Sequence, residues 1–241
     1  MLASTTGRQG SASLGSIKGH LTWRDHGHPA DHARRRVARH RQTPRYDTFP
    51  APVLGDGEAV VTVTAAELKP SDGLMASGVH YAPAKFPQIV GLDGVGRLPD
   101  GTRVAFFGPQ PPYGGMAEQA LVRPGMWLPV PDGIDDVTAA AVTNPGMAAW
   151  KTLLWEGELA AGQAVLVLGA TGTSGRIANQ LARRHGARVV AAGRNQHVLD
   201  QLLAHGADAA IKVDRPRDEL AAAVAAEGPY DLIEARLTTR L

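Results

Sequence analysis

The sequence predicts an α/β protein of two unlike parts: a partly closed β-barrel of short strands, then a parallel sheet flanked by helices. Three observations carry this. Between residues 58 and 122, short β-branched or apolar runs alternate with turn residues. From residue 164 to 234, apolar strands alternate with amphipathic helices, the pattern of βαβ units. Residues 1–45 match neither pattern and stand apart by charge. They carry nine Lys or Arg against only Asp25 and Asp31, a net +7. The other 196 residues carry 16 Lys or Arg against 21 acids, a net −5. The overall +2 therefore says nothing about a basic body.

The first segment, 1–45, reads as a disordered basic extension. It is rich in Ser and Arg and holds five of the nine histidines: His20, His26, His28, His32 and His40. An organelle transit peptide fits the same acid-poor composition. So does an upstream stretch outside the natural start, given the change in composition at Pro44-Arg45-Tyr46. Loose histidines in a polar tail are solvated, so no metal site is expected there.

The barrel elements follow from residue 46. Glu58 to Ala65 is a strand by its β-branched residues. Lys69-Pro70-Ser71-Asp72 starts a turn or short helix. A second β region runs from Ile89 to Leu98, broken by Gly91, Gly94 and Gly96, and Pro99-Asp100-Gly101-Thr102 is a hairpin turn. Arg103–Phe107 and the stretch from Gly114 to Val122 are further strands. Val137–Ala141 and Met147–Trp155 are helix-like. These elements place one domain over 46–145 and a second over 146–241.

In the second domain, Ala164–Leu168 is a continuous apolar run, as expected of a strand buried on both faces. Gly175–His185 is a helix with Ile177, Ala178, Leu181 and Ala182 on one stripe. Strand Arg188–Ala192, helix Gln196–His205, strand Ala209–Val213, helix Arg217–Ala226 and strand Tyr230–Glu234 complete the alternation.

The sharpest chemical signal is the turn Gly169-Ala170-Thr171-Gly172-Thr173-Ser174-Gly175, set between a buried strand and an amphipathic helix. In that context a glycine loop predicts a dinucleotide site. Gly169 and Gly172 let the chain turn tightly and bring backbone N–H groups against a pyrophosphate. Gly175 lets helix and strand pack closely. The helix N-terminus adds partial positive charge. At the end of the next strand, NAD sites place an acid on the ribose. Here the residues are Gly193, Arg194 and Asn195, with no acid. A carboxylate would repel a 2′-phosphate and Arg194 would bind it, so the expected cofactor is NADPH.

Several function classes are excluded. The chain has no cysteine, which removes disulfide scaffolds, cysteine-ligated metal centres and a thiol nucleophile. No run reaches the 18 or more apolar residues of a membrane span, and the N-terminus lacks a secretory apolar core. A soluble, cytoplasmic protein that binds neither membrane nor nucleic acid is expected, since the basic tail lacks interleaved aromatics.

The stretch from about Pro50 to Glu234 resembles the medium-chain dehydrogenase/reductase superfamily, in its zinc-independent, quinone-oxidoreductase-like branch. Five motifs carry the resemblance, in order: Ala65 to Asp72, Pro87 to Gly96, Gly101 to Val104, Gly114 to Glu118, and the nucleotide loop. The resemblance implies a GroES-like catalytic domain followed by a Rossmann domain. It implies NADPH-dependent hydride transfer to a quinone, enone or related conjugated carbonyl, a small-molecule substrate, and a homodimer. Zinc-dependent relatives carry a Cys before the Ser-Asp pair and a Gly-His-Glu motif. Here Lys69 and Gly91-Leu92-Asp93 stand in those places, so no metal is expected.

Without a Lewis acid, hydrogen-bond donors must activate the carbonyl. The resemblance nominates Thr143 and Asn144, in a Thr-Asn-Pro motif that lies near the nicotinamide in enoyl-reductase-like members. Asn144 could equally cap a following helix that begins at Pro145. Lys69 is nominated as a contact to nicotinamide or substrate; its alternative is a solvated lysine. Tyr81, with His80, lies where some enoyl reductases carry a proton donor. Asp72 and Asp93 are expected to fix backbone turns.

Relatives begin with a strand just before Pro50 and continue beyond a fourth Rossmann strand. The expectation is therefore a chain incomplete at both ends, with a truncated parallel sheet. Its last strand edge would be uncovered, giving low stability and self-association. A non-catalytic or fragmentary NADPH-binding protein is the alternative reading.

Overall fold

The computed structural model describes residues 2–4, 31–37, 43–77 and 86–235. The chain divides into two compact units, Met1–Ala141 and Val142–Leu241.

In the first unit the strands are β1 (Leu2–Ser4), β2 (Asp31–Val37), β3 (Arg45–Pro50) and β4 (Ala59–Glu67). Helix α1 (Pro70–Ser77) comes next, then β5 (Gln88–Ile89), β6 (Asp93–Arg97), β7 (Arg103–Phe107), β8 (Gln119–Val122) and β9 (Trp127–Pro129). Strands β1, β4, β6, β7 and β9 are hydrogen-bonded in that order, and β8 also pairs with β4. All the pairings are antiparallel.

The sheet curls at β4, whose register with β6 shifts between Val63 and Ala65. A bulge turns side chains to the opposite face beyond it. Val61 and Val63 accordingly pack with Val104, Phe106, Ala120 and Val122. Ala65 packs instead with Val95, Ala105, Ala139 and Ala140. Leu98 accepts the N–H of Gly101 and donates to Thr102 (both 2.9 Å), closing the expected turn.

A second, three-stranded sheet has the order β3-β2-β5, with Asp31 opposite Pro50 and Arg36 opposite Ile89. Two stretches of segment 1–45, read from sequence as a disordered extension, are therefore paired strands. Backbone pairing needs no apolar period, which is why composition alone did not show them.

Helix α2 (Asp136–Trp150) contains the unit boundary and is followed by a π-helical turn, Lys151–Trp155. The second unit continues with β10 (Ala164–Leu168), α3 (Thr173–Arg184), β11 (Arg188–Gly193), α4 (Gln196–Ala204), β12 (Ala209–Lys212), α5 (Arg217–Ala226) and β13 (Leu232–Ala235). Its sheet is parallel throughout, in the order β12-β11-β10-β13.

Alternation sorts the two faces of this sheet. Val165, Val167, Val189 and Ala191 meet Ala178 and Ala182 of α3 and Leu199 and Leu202 of α4. Leu166, Val190, Ala192 and Ile211 meet Leu220 and Val224 of α5. Strands β10, β11 and β12 step outward one way, and β13 returns to the other side of β10. That reversal is the topological switch point, where open parallel sheets bind ligands beyond their carboxyl ends. Ile233 of β13 is exposed.

Candidate functional site

The turn that follows β10 lies at this switch point. Gly169 takes a left-handed φ of +80°, which glycine adopts without strain. The N–H groups of Gly169 and Ala170 both donate to the Ala192 carbonyl at 2.9 Å, and Gly172 N–H donates to Gly169 at 3.0 Å. The loop is thus tied to the end of β11.

Gly172 is the N-cap of α3 and provides no side-chain cap. The first intrahelical bond is Arg176 N–H to the Gly172 carbonyl, 2.9 Å. The N–H groups of Thr173, Ser174 and Gly175 open the helix and have no acceptor within it. No acid sits in that first turn, so the positive end of the helix dipole is not offset locally.

The three loop glycines have different causes. A Cβ on Gly175 would lie 2.6 Å from Ala170 Cα and collide with the Gly169 carbonyl; close packing of helix and strand requires glycine there. Gly169 is required by its φ. Gly172 is required by neither: its φ is −83°, and a Cβ would meet only the Gly169 oxygen, at an ordinary 3.5 Å. Gly172 closes the turn through its N–H to the Gly169 carbonyl, a bond that any residue but proline could make. Its missing side chain leaves open space at the start of the helix.

At the end of β11, Gly193 is buried and Arg194 exposed. Among the described residues, no hydrogen bond or ion pair ties the Arg194 guanidinium down. Asn195, expected with the cofactor residues, is the N-cap of α4, where its Oδ1 accepts from Val198 N–H at 3.3 Å.

Thr143 and Asn144 lie inside α2, not at the start of a helix, with Pro145 also within it. The capping alternative for Asn144 is therefore overturned, because a cap needs non-helical backbone. Pro145 costs one bond to the Ala141 carbonyl, outweighed by burial of Ala139, Ala140 and Ala149 along the same helix. In the π turn that follows, Glu156 N–H reaches back to the Lys151 carbonyl, 2.8 Å. Thr152 Oγ1 lies 3.4 Å from Oε1 of Glu234, a buried carboxyl on β13 beside the switch point. Nothing in the local sequence marked Glu234, since its partner lies 82 residues away.

The first unit holds a second cluster, around Lys69. Its ammonium is 2.5 Å from Asp93 Oδ1 and 3.6 Å from Glu67 Oε2, and its side chain is only 12% exposed. The solvated reading of Lys69 is therefore overturned. Asp72 accepts the Lys69 N–H at 2.7 Å and the Leu92 N–H at 3.2 Å. It fixes the start of α1 as expected, with Pro70 in the first helical position. Asp93, also expected to fix a turn, pairs with the Lys69 ammonium. Burial raises the carboxyl pKa values of both Glu67 and Asp72 above the ordinary range, against the lowering pull of Lys69. Tyr81 and His80 lie outside the described residues.

No helix among the described residues is long and apolar enough to cross a membrane. No protein-family profile matches the chain. Individual proteins do. The quinone oxidoreductase of Thermus thermophilus, solved also as its complex with NADPH, superposes with a TM-score of 0.75 at 31% identity, over 86% of this chain and 67% of that one. The quinone oxidoreductase of Sus scrofa is 30% identical over 166 residues, covering 65% of this chain and 50% of its own length. The acrylyl-CoA reductase of Ruegeria pomeroyi is 28% identical over 172 residues, 66% of this chain and 52% of that protein. The chain spans about half the length of these curated relatives. At 31% identity over 67% of the Thermus protein, the likeness shows that the chain belongs to the quinone-oxidoreductase branch of the medium-chain dehydrogenase/reductase family.

Proposed function

We propose that this chain serves an NADPH-dependent oxidoreductase that reduces a quinone, enone or related conjugated carbonyl without zinc. The observation that carries the cofactor part is Gly172. Neither backbone strain nor packing demands glycine there, so the open space serves a group outside the chain. The helix start there carries the open N–H groups of Thr173, Ser174 and Gly175, which suit a pyrophosphate.

Arg194, exposed at the end of β11, would hold the 2′-phosphate through charge-assisted hydrogen bonds. NADPH is also the ligand named for the Thermus relative. When bound, the cofactor supplies the hydride. The chain's residues would bind and orient its phosphates and donate hydrogen bonds to the acceptor carbonyl. Lys69, Thr143, Asn144 and Tyr81 are the proposed donors. Lys69 has the clearest physical basis, as a cation held largely out of water by Asp93. It stands where zinc-binding relatives carry cysteine, which supports a metal-free site. The family likeness supports a cytoplasmic homodimer acting on a small molecule.

The test is NADPH oxidation by the purified chain with a panel of benzoquinones, naphthoquinones and enones. Turnover with one acceptor class, alongside saturable NADPH binding, is the expected result. NADPH binding with no turnover on any acceptor would leave a nucleotide-binding protein and overturn the reductase.

A further inference from the structure

We propose that Thr171 is a specificity-determining residue of the cofactor site, because its side chain fills the space in which residue 193 would carry a ribose-binding acid. The inference rests on the cofactor reading above. An acid at the end of the second strand is the usual device for selecting NAD. Gly193 ends β11, and it is absent from the glycines with positive φ, so its backbone does not call for glycine. Its surroundings do. A Cβ there would lie 2.5 Å from Thr171 Cγ2, 3.0 Å from Thr171 Oγ1 and 3.2 Å from Thr171 Cβ.

Thr171 cannot easily withdraw. The residues on either side are fixed, Gly169 and Ala170 to the Ala192 carbonyl and Gly172 to the Gly169 carbonyl. Its β-branched side chain has few rotamers, and with either heavy atom turned away, the Thr171 Cβ still crowds the position. The loop that would take the pyrophosphate therefore closes residue 193 to any side chain. The next position with a free side chain is Arg194. Preference for a 2′-phosphate would thus have an attractive element, Arg194, and an excluding one, Thr171.

The experiment has two arms on the full chain. Without cofactor, thermal unfolding compares Gly193→Ala, Thr171→Ala and the double variant. Gly193→Ala should lower Tm by several degrees, and adding Thr171→Ala should recover most of that loss. Strictly additive effects would overturn the steric claim.

With cofactor, fluorescence titration measures Kd for NADPH and NADH in the parent, Gly193→Asp and Thr171→Ala/Gly193→Asp. The single variant should bind both nucleotides at least about tenfold more weakly than the parent. The double variant should regain NADH binding by about tenfold or more, while NADPH binding stays weak. If Gly193→Asp alone gains NADH binding, or the double variant is no better than the single, the proposal fails while the cofactor reading stands. A parent that binds neither nucleotide overturns the cofactor reading, and the selectivity claim with it.

Discussion

The glycine loop of the second unit and the Lys69 cluster of the first solve the placing of charge in opposite ways. The loop presents positive potential without a charged side chain, through open N–H groups at a helix start. The Lys69 cluster gathers four ionisable side chains, Glu67, Lys69, Asp72 and Asp93, and keeps them partly or wholly from water. Backbone dipoles cost little to keep ready and do not titrate. Buried ion pairs depend on every partner being present. The two regions should therefore fail differently when perturbed.

The largest effect is expected at the cluster. Lys69→Met removes the cation 2.5 Å from the carboxylate of Asp93, whose side chain is 5% exposed, and should destabilise by on the order of 3 kcal/mol in urea unfolding. Adding Asp93→Asn should restore most of that loss. No loss in the single variant would mean that the pair is not a buried one in solution.

Next comes the tight glycine of the loop. Gly175→Ala should cost about 1–3 kcal/mol through overpacking and abolish NADPH binding. Gly172→Ala is the sharpening control. It should leave Tm unchanged or slightly raised, by up to about 1 kcal/mol equivalent, yet weaken NADPH binding by roughly tenfold or more through one lost charge-assisted bond. If Gly172→Ala unfolds the protein, or binds NADPH like the parent, the open space is not a ligand space.

Arg194→Gln should weaken NADPH by roughly 10- to 100-fold, the loss of hydrogen bonds to a charged group, and leave NADH unchanged. Added salt should reduce the parent's preference in the same direction.

The smallest effect is a pH term. Burial raises the Glu67 carboxyl, so the folded state binds its proton more tightly than the unfolded chain. That contribution is fully present below the ordinary carboxylate range. It is lost as pH rises through the raised folded value, so stability declines across that window. Glu67→Gln should flatten the decline and stabilise the protein at neutral pH relative to the parent, by less than about 1 kcal/mol. A steeper decline in the variant would refute the assignment.

How much could be read in advance followed the separation of the partners. The alternation from Ala164 to Glu234 matches the observed strands and helices closely, because each element's burial pattern is written within itself. The loop is legible for the same reason: β10, the glycines and α3 are contiguous. The stretch around Asn144 misled because proline usually breaks a helix, whereas burial along α2 kept it whole. Strand β9 passed unnoticed because three residues carry too little period.

By itself, then, the sequence determined the fold class, the family motifs and the place of the phosphate loop, all consequences of local periodicity and turn chemistry. Only the tertiary structure decided that Lys69 is paired and shielded, since Asp93 reaches it across 24 residues of chain. It alone showed that Gly172 is free of strain while Gly193 is crowded by Thr171, because steric exclusion depends on atoms that the register of β10 and β11 brings together.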